Sequence, residues 1–225
     1  MDRQTYALLE GYMHTCMEDS AHDREHVYRV LYAALDIARA EGGADMDVLV
    51  AACLLHDIGR KEQFEDGTLC HAKVGAEKAR TFLLERGFGA EFAEHVAACI
   101  RTHRFRKDSP PESIEAKILF DADKLDVAGT MGVARTLLYN GRMGEPLYSL
   151  TADGTVSDGA GDAEPSFFQE YKFKLEKLYG AFLTQRGREL ALARREGAER
   201  FYRSLLAEVT DTADLGRELL KDLLE

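Results

Sequence analysis

This sequence has too little positive charge to indicate a nucleic-acid-binding protein. Its 225 residues include 29 Lys and Arg against 40 Asp and Glu, which gives a formal net charge of −11. General binding of nucleic acid needs a basic surface, so we do not expect a nucleic-acid partner. A small anionic substrate stays compatible with this charge, because a local field can oppose the total. Residues 101–107, RTHRFRK, form such a local basic run.

Cysteine is scarce, and no two cysteines form a CxxC pair. The four are Cys16, Cys53, Cys70 and Cys99. All except Cys70 fall in apolar helical patterns, which is typical of reduced core residues in a cytosolic protein. No apolar run follows Met1, and no stretch approaches the length of a membrane span. We therefore expect a cytoplasmic protein without a signal peptide or a membrane partner.

Segments in which apolar and polar residues alternate over the length of a β-strand are also missing. Apolar residues instead recur at helical spacing along most of the chain. We predict an N-terminal helix near 9–17, helices near 23–40, 45–58, 71–85 and 90–102, a long kinked helix over 112–139, and further helices from 165, including 190–209 before a short tail. The predicted fold class is all-α, a compact multi-helix bundle with additional C-terminal helices.

Residues 140–164 depart from the helical pattern. The segment is rich in Gly, Asp and Ser and has little periodicity, which predicts an exposed loop. A mobile insertion and a lid over a site are the two alternatives for it. We expect residues 1–225 to form a single domain, with a core over 20–139, this loop, and completing helices over 165–225.

Histidine is rare in the chain, and its placement is informative. Several histidines and aspartates interrupt or end apolar helical faces, where an unpaired charge would be costly. The six residues concerned are His26, His56, Asp57, His71, His103 and Asp123. Inward-facing polar side chains from several helices are how metal sites are built in bundle cores.

These residue types have the chemistry of a divalent metal site. Imidazole nitrogen and carboxylate oxygen together suit Mn, Fe, Co, Ni or Zn, whereas Mg prefers oxygen ligands but remains allowed. Such an ion lowers the pKa of bound water and neutralises charge on a phosphoryl group. Because few other side chains are needed, the indicated reaction class is hydrolysis of a phosphate ester or anhydride.

The ordered set H…HD…D resembles the HD-domain metal-dependent phosphohydrolases. HVYRV (26–30), LLHDIGR (54–60), EAKILFDADKLDVAGTMGVAR (115–135) and KLEKLYGAFLTQRGRELALAR (174–194) are similar to the bacterial stand-alone YedJ/YpgQ-like subgroup. The resemblance covers roughly residues 20–210. It implies that the metal ligands are His26, His56, Asp57 and Asp123.

The same resemblance gives roles to the neighbouring residues. Asp121 and Asp126 would be helix residues or would orient ligands. A second HD dipeptide, His22-Asp23, lies outside the motif, and we expect Asp23 to cap the second helix. His71 and His103 would bind a second metal, as in some HD proteins, or alternatively contact the substrate or act in acid catalysis. The resemblance gives catalytic roles to Asp57, His103 and Lys124, and phosphate contact to Lys124 and Lys174. Arg60 and Arg104 are further candidates for substrate binding because of their charge and their positions next to Asp57 and His103.

The implied activity is hydrolysis of a nucleotide or similar small phosphorylated substrate by metal-activated water. Nucleoside triphosphates cut to the monophosphate and pyrophosphate are the leading substrates. Arg60 lies where some HD nucleotidases that act on monophosphates have an acidic residue, and this favours a more highly charged substrate. Two alternatives stay open, a dinuclear phosphodiesterase for cyclic or dinucleotides and a non-catalytic module for nucleotide sensing or partner binding. The oligomeric state is also open.

Overall fold

The computed structural model of the protein describes residues 1–17, 24–104 and 109–224, and helices dominate them. Extended structure in these ranges is limited to an isolated bridge between Leu150 and Val156. The predicted all-α fold class is therefore confirmed. The α-helices are α1 Arg3–Met17, α2 Arg24–Glu41, α3 Met46–Leu55, α4 Arg60–Glu65, α5 His71–Glu85, α6 Ala90–Thr102, α7 Ile114–Leu125, α8 Gly129–Met143, α9 Phe167–Glu170 and α10 Gln185–Leu224.

The predicted helix limits match α5 and α6 and differ elsewhere. The short helix α4 was not predicted, and the predicted helix over 112–139 is divided into α7 and α8. The predicted short tail after 209 is wrong, because α10 continues to Leu224. Residues 210–224 contain no proline and many strong helix formers, so nothing ends the helix earlier. The predicted helix cap at Asp23 lies outside the described residues.

The chain divides into two compact units. The first contains residues 1–126 and 182–188, and the second contains 127–181 and the chain from 189 onward. A single domain over 1–225 stays a prediction. No helix in the described part of the chain is both long enough and apolar enough to cross a bilayer.

Helix α3 lies at the centre of the first unit. Its side chains from Val48 to Leu55 are almost all buried, and it contacts α1, α2, α6 and α7. A helix that is apolar on all sides must be surrounded in this way. Asp45 caps the start of α3 by accepting hydrogen bonds from two backbone N–H groups. The C-terminal end of α3, with His56 and Asp57, is therefore in the interior of the unit.

Two glycines let the start of α5 approach the end of α3. A Cβ on Gly59 would lie 2.4 Å from the carbonyl oxygen of His71 and 2.6 Å from the backbone nitrogen of Gly75. A Cβ on Gly75 would itself lie 3.4 Å from the backbone of Gly59 and His56. Glycine is needed where two backbones come this close. The contact brings His71 beside Asp57.

The second unit has an aromatic core. Tyr171 and Tyr202 stack with ring centroids 4.0 Å apart, and Phe168 meets Tyr202 edge-on. Gly159, with φ of 87°, lies against the backbone of Phe168, so the loop after α8 packs on α9. The predicted loop over 140–164 thus begins later than expected, since α8 extends to Met143.

Candidate metal centre

The six polar residues singled out in the sequence lie together in the first unit. They come from α2, from the C-terminal ends of α3 and α6, from the start of α5, and from α7. They form two groups of three whose ligand atoms lie within 4.8 Å of one another. We call His26, His56 and Asp123 the first triad, and Asp57, His71 and His103 the second triad.

The first triad surrounds the Nε2 atom of His26. This atom lies 3.4 Å from His56 Nε2 and 3.2 Å from Asp123 Oδ1. Asp57 Oδ2 lies 3.5 Å from the same nitrogen and 3.6 Å from His56 Nε2. These separations suit atoms that share one ion at the usual ligand distances of about 2.0–2.3 Å.

Asp57 divides its two oxygens between the triads. While Oδ2 faces the first triad, Oδ1 lies 3.4 Å from His71 Nε2 and 3.8 Å from His103 Nε2. The two imidazole Nε2 atoms of the second triad are 3.3 Å apart. The Asp57 carboxylate is almost fully buried and is the group common to both sets.

A hydrogen-bond acceptor lies beside the Nδ1 atom of every histidine in the cluster. His56 and His103 each end a helix, and each Nδ1 lies within 2.7 Å of the carbonyl oxygen three residues earlier, that of Cys53 or Ile100. Histidines in the last turn of a helix commonly bond such carbonyls. The acceptor for His26 is Asp126 Oδ2 at 2.7 Å, and that for His71 is Gln63 Oε1 at 2.5 Å.

This pattern assigns the Nδ1 proton of each imidazole and leaves Nε2 turned inward. In a neutral imidazole whose Nδ1 donates, Nε2 carries a lone pair. Nε2 lone pairs and the Asp57 and Asp123 carboxylates thus converge on one space, where they would repel each other without a cation between them. A divalent ion is the group that this donor set fits, and anchored Nδ1 atoms are typical of metal-binding histidines.

The pKa of His26 also indicates that a positive charge is favoured among these ligand atoms. Burial opposes protonation of His26, but its hydrogen bonds to Asp123 and Asp126 and the nearby Asp57 raise its pKa to about 9. Burial likewise opposes the charge of Asp57, yet His56, Arg60 and His26 hold its pKa well below the ordinary value. Three carboxylates therefore favour a positive charge at the position of the His26 ring.

In the second triad the pKa values of both histidines are lowered instead of raised. Burial lowers the pKa of His71 to about 2, and Arg60 and Arg104 act in the same direction. Burial, followed by the charge of His56, lowers the pKa of His103 to about 4. Both imidazoles are therefore neutral at pH 7.

Burial is the main cause of the low pKa values in the second triad, and the charged neighbours of the two triads add to the difference. Beside the first triad, Asp126 accepts hydrogen bonds from His26 and from Arg29, whose Nε lies 2.7 Å from Asp126 Oδ1. Beside the second triad, Arg60 Nε donates to Asp57 Oδ1 at 2.9 Å, and Arg104 Nη1 lies 3.5 Å from His71 Nδ1. The first triad is thus surrounded mainly by carboxylates and the second by guanidinium groups.

The remaining predicted site residues lie elsewhere. Lys124 Nζ lies 4.6 Å from the centroid of the Phe120 ring, in a cation–π contact. Asp121 accepts hydrogen bonds from Leu183 and Thr184, so it holds the 182–188 segment instead of a ligand. Lys174 belongs to the second unit, where it pairs with Glu170. Their predicted roles toward substrate or metal stay predictions.

Sequence reasoning missed two of the residues that support the ligands, Arg29 and Gln63. Asp126 was expected to be a helix residue or to orient a ligand. A signal for Arg29 existed beside that of Asp126. Arg29 follows His26 by three residues and Asp126 follows Asp123 by three, and residues at this spacing share a helix face.

Comparison with known proteins identifies the family. The HD domain family matches residues 24–128, which include every residue of the cluster. The protein YpgQ of Bacillus subtilis strain 168, which is named as uncharacterized, is 32% identical over 196 residues, or 85% of this chain and 86% of YpgQ. The chain belongs to the HD-domain family. The recognition made from its motifs is confirmed.

Solved structures of similar proteins agree with this assignment. The crystal structure of B. subtilis YpgQ in complex with ADP has a TM-score of 0.71 to this chain at 27% identity, and covers 91% of this chain and 95% of its own. An HD-superfamily hydrolase from Bacillus thuringiensis has a TM-score of 0.71 at 25% identity, with coverage of 92% and 97%. This chain thus shares the fold of proteins named as HD-superfamily hydrolases.

Proposed function

We propose that this protein is a metal-dependent phosphohydrolase of nucleotides that cuts nucleoside triphosphates to the monophosphate and pyrophosphate. The observation that carries the proposal is the convergence of Nε2 lone pairs and carboxylates around Asp57, directly beside two arginines. The first feature is complementary to a cation, and the second is complementary to a phosphate. A phosphohydrolase needs both within one site.

In this proposal the residues that hold the metal are His26, His56, Asp57 and Asp123. Their mixture of nitrogen and oxygen favours Mn, Fe, Co, Ni or Zn, and Mg is compatible. The bound ion would lower the pKa of a water molecule and neutralise charge on the phosphoryl oxygens. Asp126 would keep the Nε2 of His26 directed at the ion, because a carboxylate on Nδ1 fixes both the tautomer and the ring orientation.

Arg60 and Arg104 would bind and orient the phosphate chain of the substrate. Guanidinium groups match phosphate oxygens in geometry as well as in charge. His103 is neutral at pH 7, so it would act toward the substrate as a hydrogen-bonding group and not as a stored proton source. Lys124 would add positive charge to the site if its ammonium group moved away from the Phe120 ring. Lys174 is proposed to contact phosphate only because its segment resembles that of the subgroup.

The nucleotide part of the proposal is supported by a relative. YpgQ was crystallised in complex with ADP, and it aligns with this chain over most of both lengths. A nucleoside triphosphate carries more negative charge than a monophosphate, and it would therefore gain more from the two arginines beside the second triad.

A second candidate function is a dinuclear phosphodiesterase for cyclic or dinucleotides. The second triad favours it, because Asp57 has one oxygen for each set of histidines and so has the geometry of a bridging ligand. Two metal ions that share a carboxylate are typical of enzymes in which the ions stabilise both the attacking and the leaving oxygen of a phosphoryl displacement. The guanidinium group on Asp57 Oδ1 is the observation against this candidate.

The test is a turnover assay in which the metal is controlled. The purified protein is stripped of metal and supplied with Mn, Fe, Co, Ni, Zn or Mg, and phosphate and pyrophosphate are measured separately over a nucleotide panel. The proposal predicts pyrophosphate release from triphosphates that depends on added metal. Cleavage of cyclic or dinucleotides alone would favour the second candidate, and turnover in the metal-free protein would overturn both.

A further inference from the structure

The Asp57 carboxylate has a guanidinium group on one of its two oxygens. Arg60 begins α4, three residues after Asp57, and its Nε lies 2.9 Å from Oδ1. The same oxygen is the one that faces His71 and His103, at 3.4 and 3.8 Å. The guanidinium therefore stands at the atom that would bridge to an ion in the second triad.

The charges near the two triads differ in sign. The first triad contains Asp123, adjoins the buried Asp126, and shares Asp57, so three carboxylates there stand against the guanidinium group of Arg29. The second triad shares Asp57 but has Arg60 and Arg104 close to its imidazoles. A second divalent ion would therefore enter a space that already contains two positive charges against one shared carboxylate.

Two neighbouring contacts hold this arrangement in place. Lys78 Nζ donates to the carbonyl oxygen of Ile58 at 2.8 Å and to Glu62 of α4 at 2.5 Å. Gln63 of α4 accepts from His71 at 2.5 Å. The short helix that carries Arg60 is thus attached to α5 through Glu62 and Gln63. The side chain of Arg60 is 26% exposed.

We propose that Arg60 sets the number of ions in the cluster at one, because its guanidinium group occupies Asp57 Oδ1 and excludes a second divalent ion from Asp57, His71 and His103. This inference rests on the proposed function, since it assumes that the first triad and Asp57 hold an ion. Loss of the Arg60 charge converts the second triad into a metal site. Arg60 is in this sense a specificity-determining residue for a mononuclear centre.

The experiment counts ions per chain without measuring turnover. The metal-free wild-type protein and its variants are dialysed to equilibrium against Mn(II) and analysed by atomic emission. Electron paramagnetic resonance of the same samples reports whether two Mn(II) ions are coupled. The variants are Arg60→Gln, Arg60→Met, which keeps the apolar stem, and Arg60→Lys, which keeps the charge. Arg101→Gln is the matched control, because Arg101 pairs with Glu77 and Glu94 on the surface.

We expect one ion per chain in the wild type, in Arg60→Lys and in Arg101→Gln. Arg60→Gln and Arg60→Met should reach two ions per chain with a coupled spectrum, and His71→Ala added to either should return the count to one. Two ions in the wild type, or one ion in both neutral variants, would overturn the inference while leaving the phosphohydrolase proposal intact. A wild-type protein that binds no ion at any Mn(II) concentration would contradict the proposed function itself.

Discussion

The two triads of the cluster have the same kinds of ligand atoms but opposite surroundings. Each contains a pair of histidines whose Nδ1 atoms meet acceptors and whose Nε2 atoms point inward, and both use Asp57. The first triad contains Asp123 and adjoins Asp126, and against the opposing effect of burial these carboxylates raise the pKa of His26 to about 9. In the second triad, burial is the main cause that lowers the pKa of His71 to about 2, and Arg60 and Arg104 act in the same direction. Ligand atoms alone therefore do not define a metal site, because burial and the neighbouring charges also decide whether a cation is favoured.

The largest expected effect follows from removing a ligand of the first triad. His56→Ala and Asp57→Ala should abolish both bound metal and turnover, since each removes a donor that no neighbour replaces. Metal content by atomic emission and turnover with a triphosphate check the prediction. His95→Ala is the control, because His95 contacts Glu115 and belongs to neither triad. Full activity in either variant would contradict the assignment of His56 and Asp57 as metal ligands.

A second change tests how the triads are brought together. Gly59→Ala should lower the free energy of unfolding by about 1–3 kcal/mol, the usual cost of overpacking a tight contact, because its Cβ would meet the backbone of α5. Chemical denaturation of the metal-free protein measures this loss. Gly67→Ala is the matched control, since no atom lies within 4 Å of a Cβ there. Equal stability in the two variants would argue against the close approach of α3 and α5.

The anchor of the first triad can be separated from its ligands. Asp126→Asn should weaken metal binding about 10- to 100-fold, which is the usual effect of losing a carboxylate behind a ligating histidine. Calorimetric titration with Mn(II) measures the affinity. Asp121→Asn serves as the comparison, because Asp121 is equally buried but binds Thr184, so we expect it to lower stability with unchanged metal affinity. The reverse result would mean that the anchor has been assigned to the wrong aspartate.

The smallest expected effect concerns the second triad. Arg104→Gln should raise the KM for a nucleoside triphosphate about tenfold, the equivalent of about 1.4 kcal/mol, and leave kcat nearly unchanged. Steady-state kinetics at two salt concentrations test this, because high salt should shrink the difference between variant and wild type. A fall in kcat at constant KM would instead place Arg104 in the chemical step.

The six cluster residues could be found from the sequence because each interrupts an apolar helical pattern. The contacts that bring these six residues together could be predicted only in part. His56 and His103 bond the carbonyl oxygens of Cys53 and Ile100, and a backbone acceptor carries no sequence signal. Helix α4 has six residues, which is too few for a periodic pattern to show. The positive charges of Arg60 and Arg104 were expected near the site, but their location beside one histidine pair and not the other became evident only in three dimensions.

One other error has a simple physical origin. The kinked helix expected over 112–139 is two separate helices, because Asp126 caps the end of α7 and Gly129 begins α8 with φ of 70°. Gly132 approaches the Val127 carbonyl so closely that a Cβ would lie 2.1 Å from its oxygen. Apolar periodicity continues across such a turn, and the pattern alone therefore cannot locate it.

The central claim is that the cation lies in the first triad and the phosphates lie toward the second. A crystal structure with Mn(II) and a non-hydrolysable nucleoside triphosphate, with anomalous differences measured at the manganese edge, tests it directly. The account predicts a single anomalous peak among His26, His56, Asp57 and Asp123, with phosphate oxygens directed at Arg60 and Arg104. A peak among Asp57, His71 and His103 in the wild-type protein, or phosphates turned away from both arginines, would contradict it.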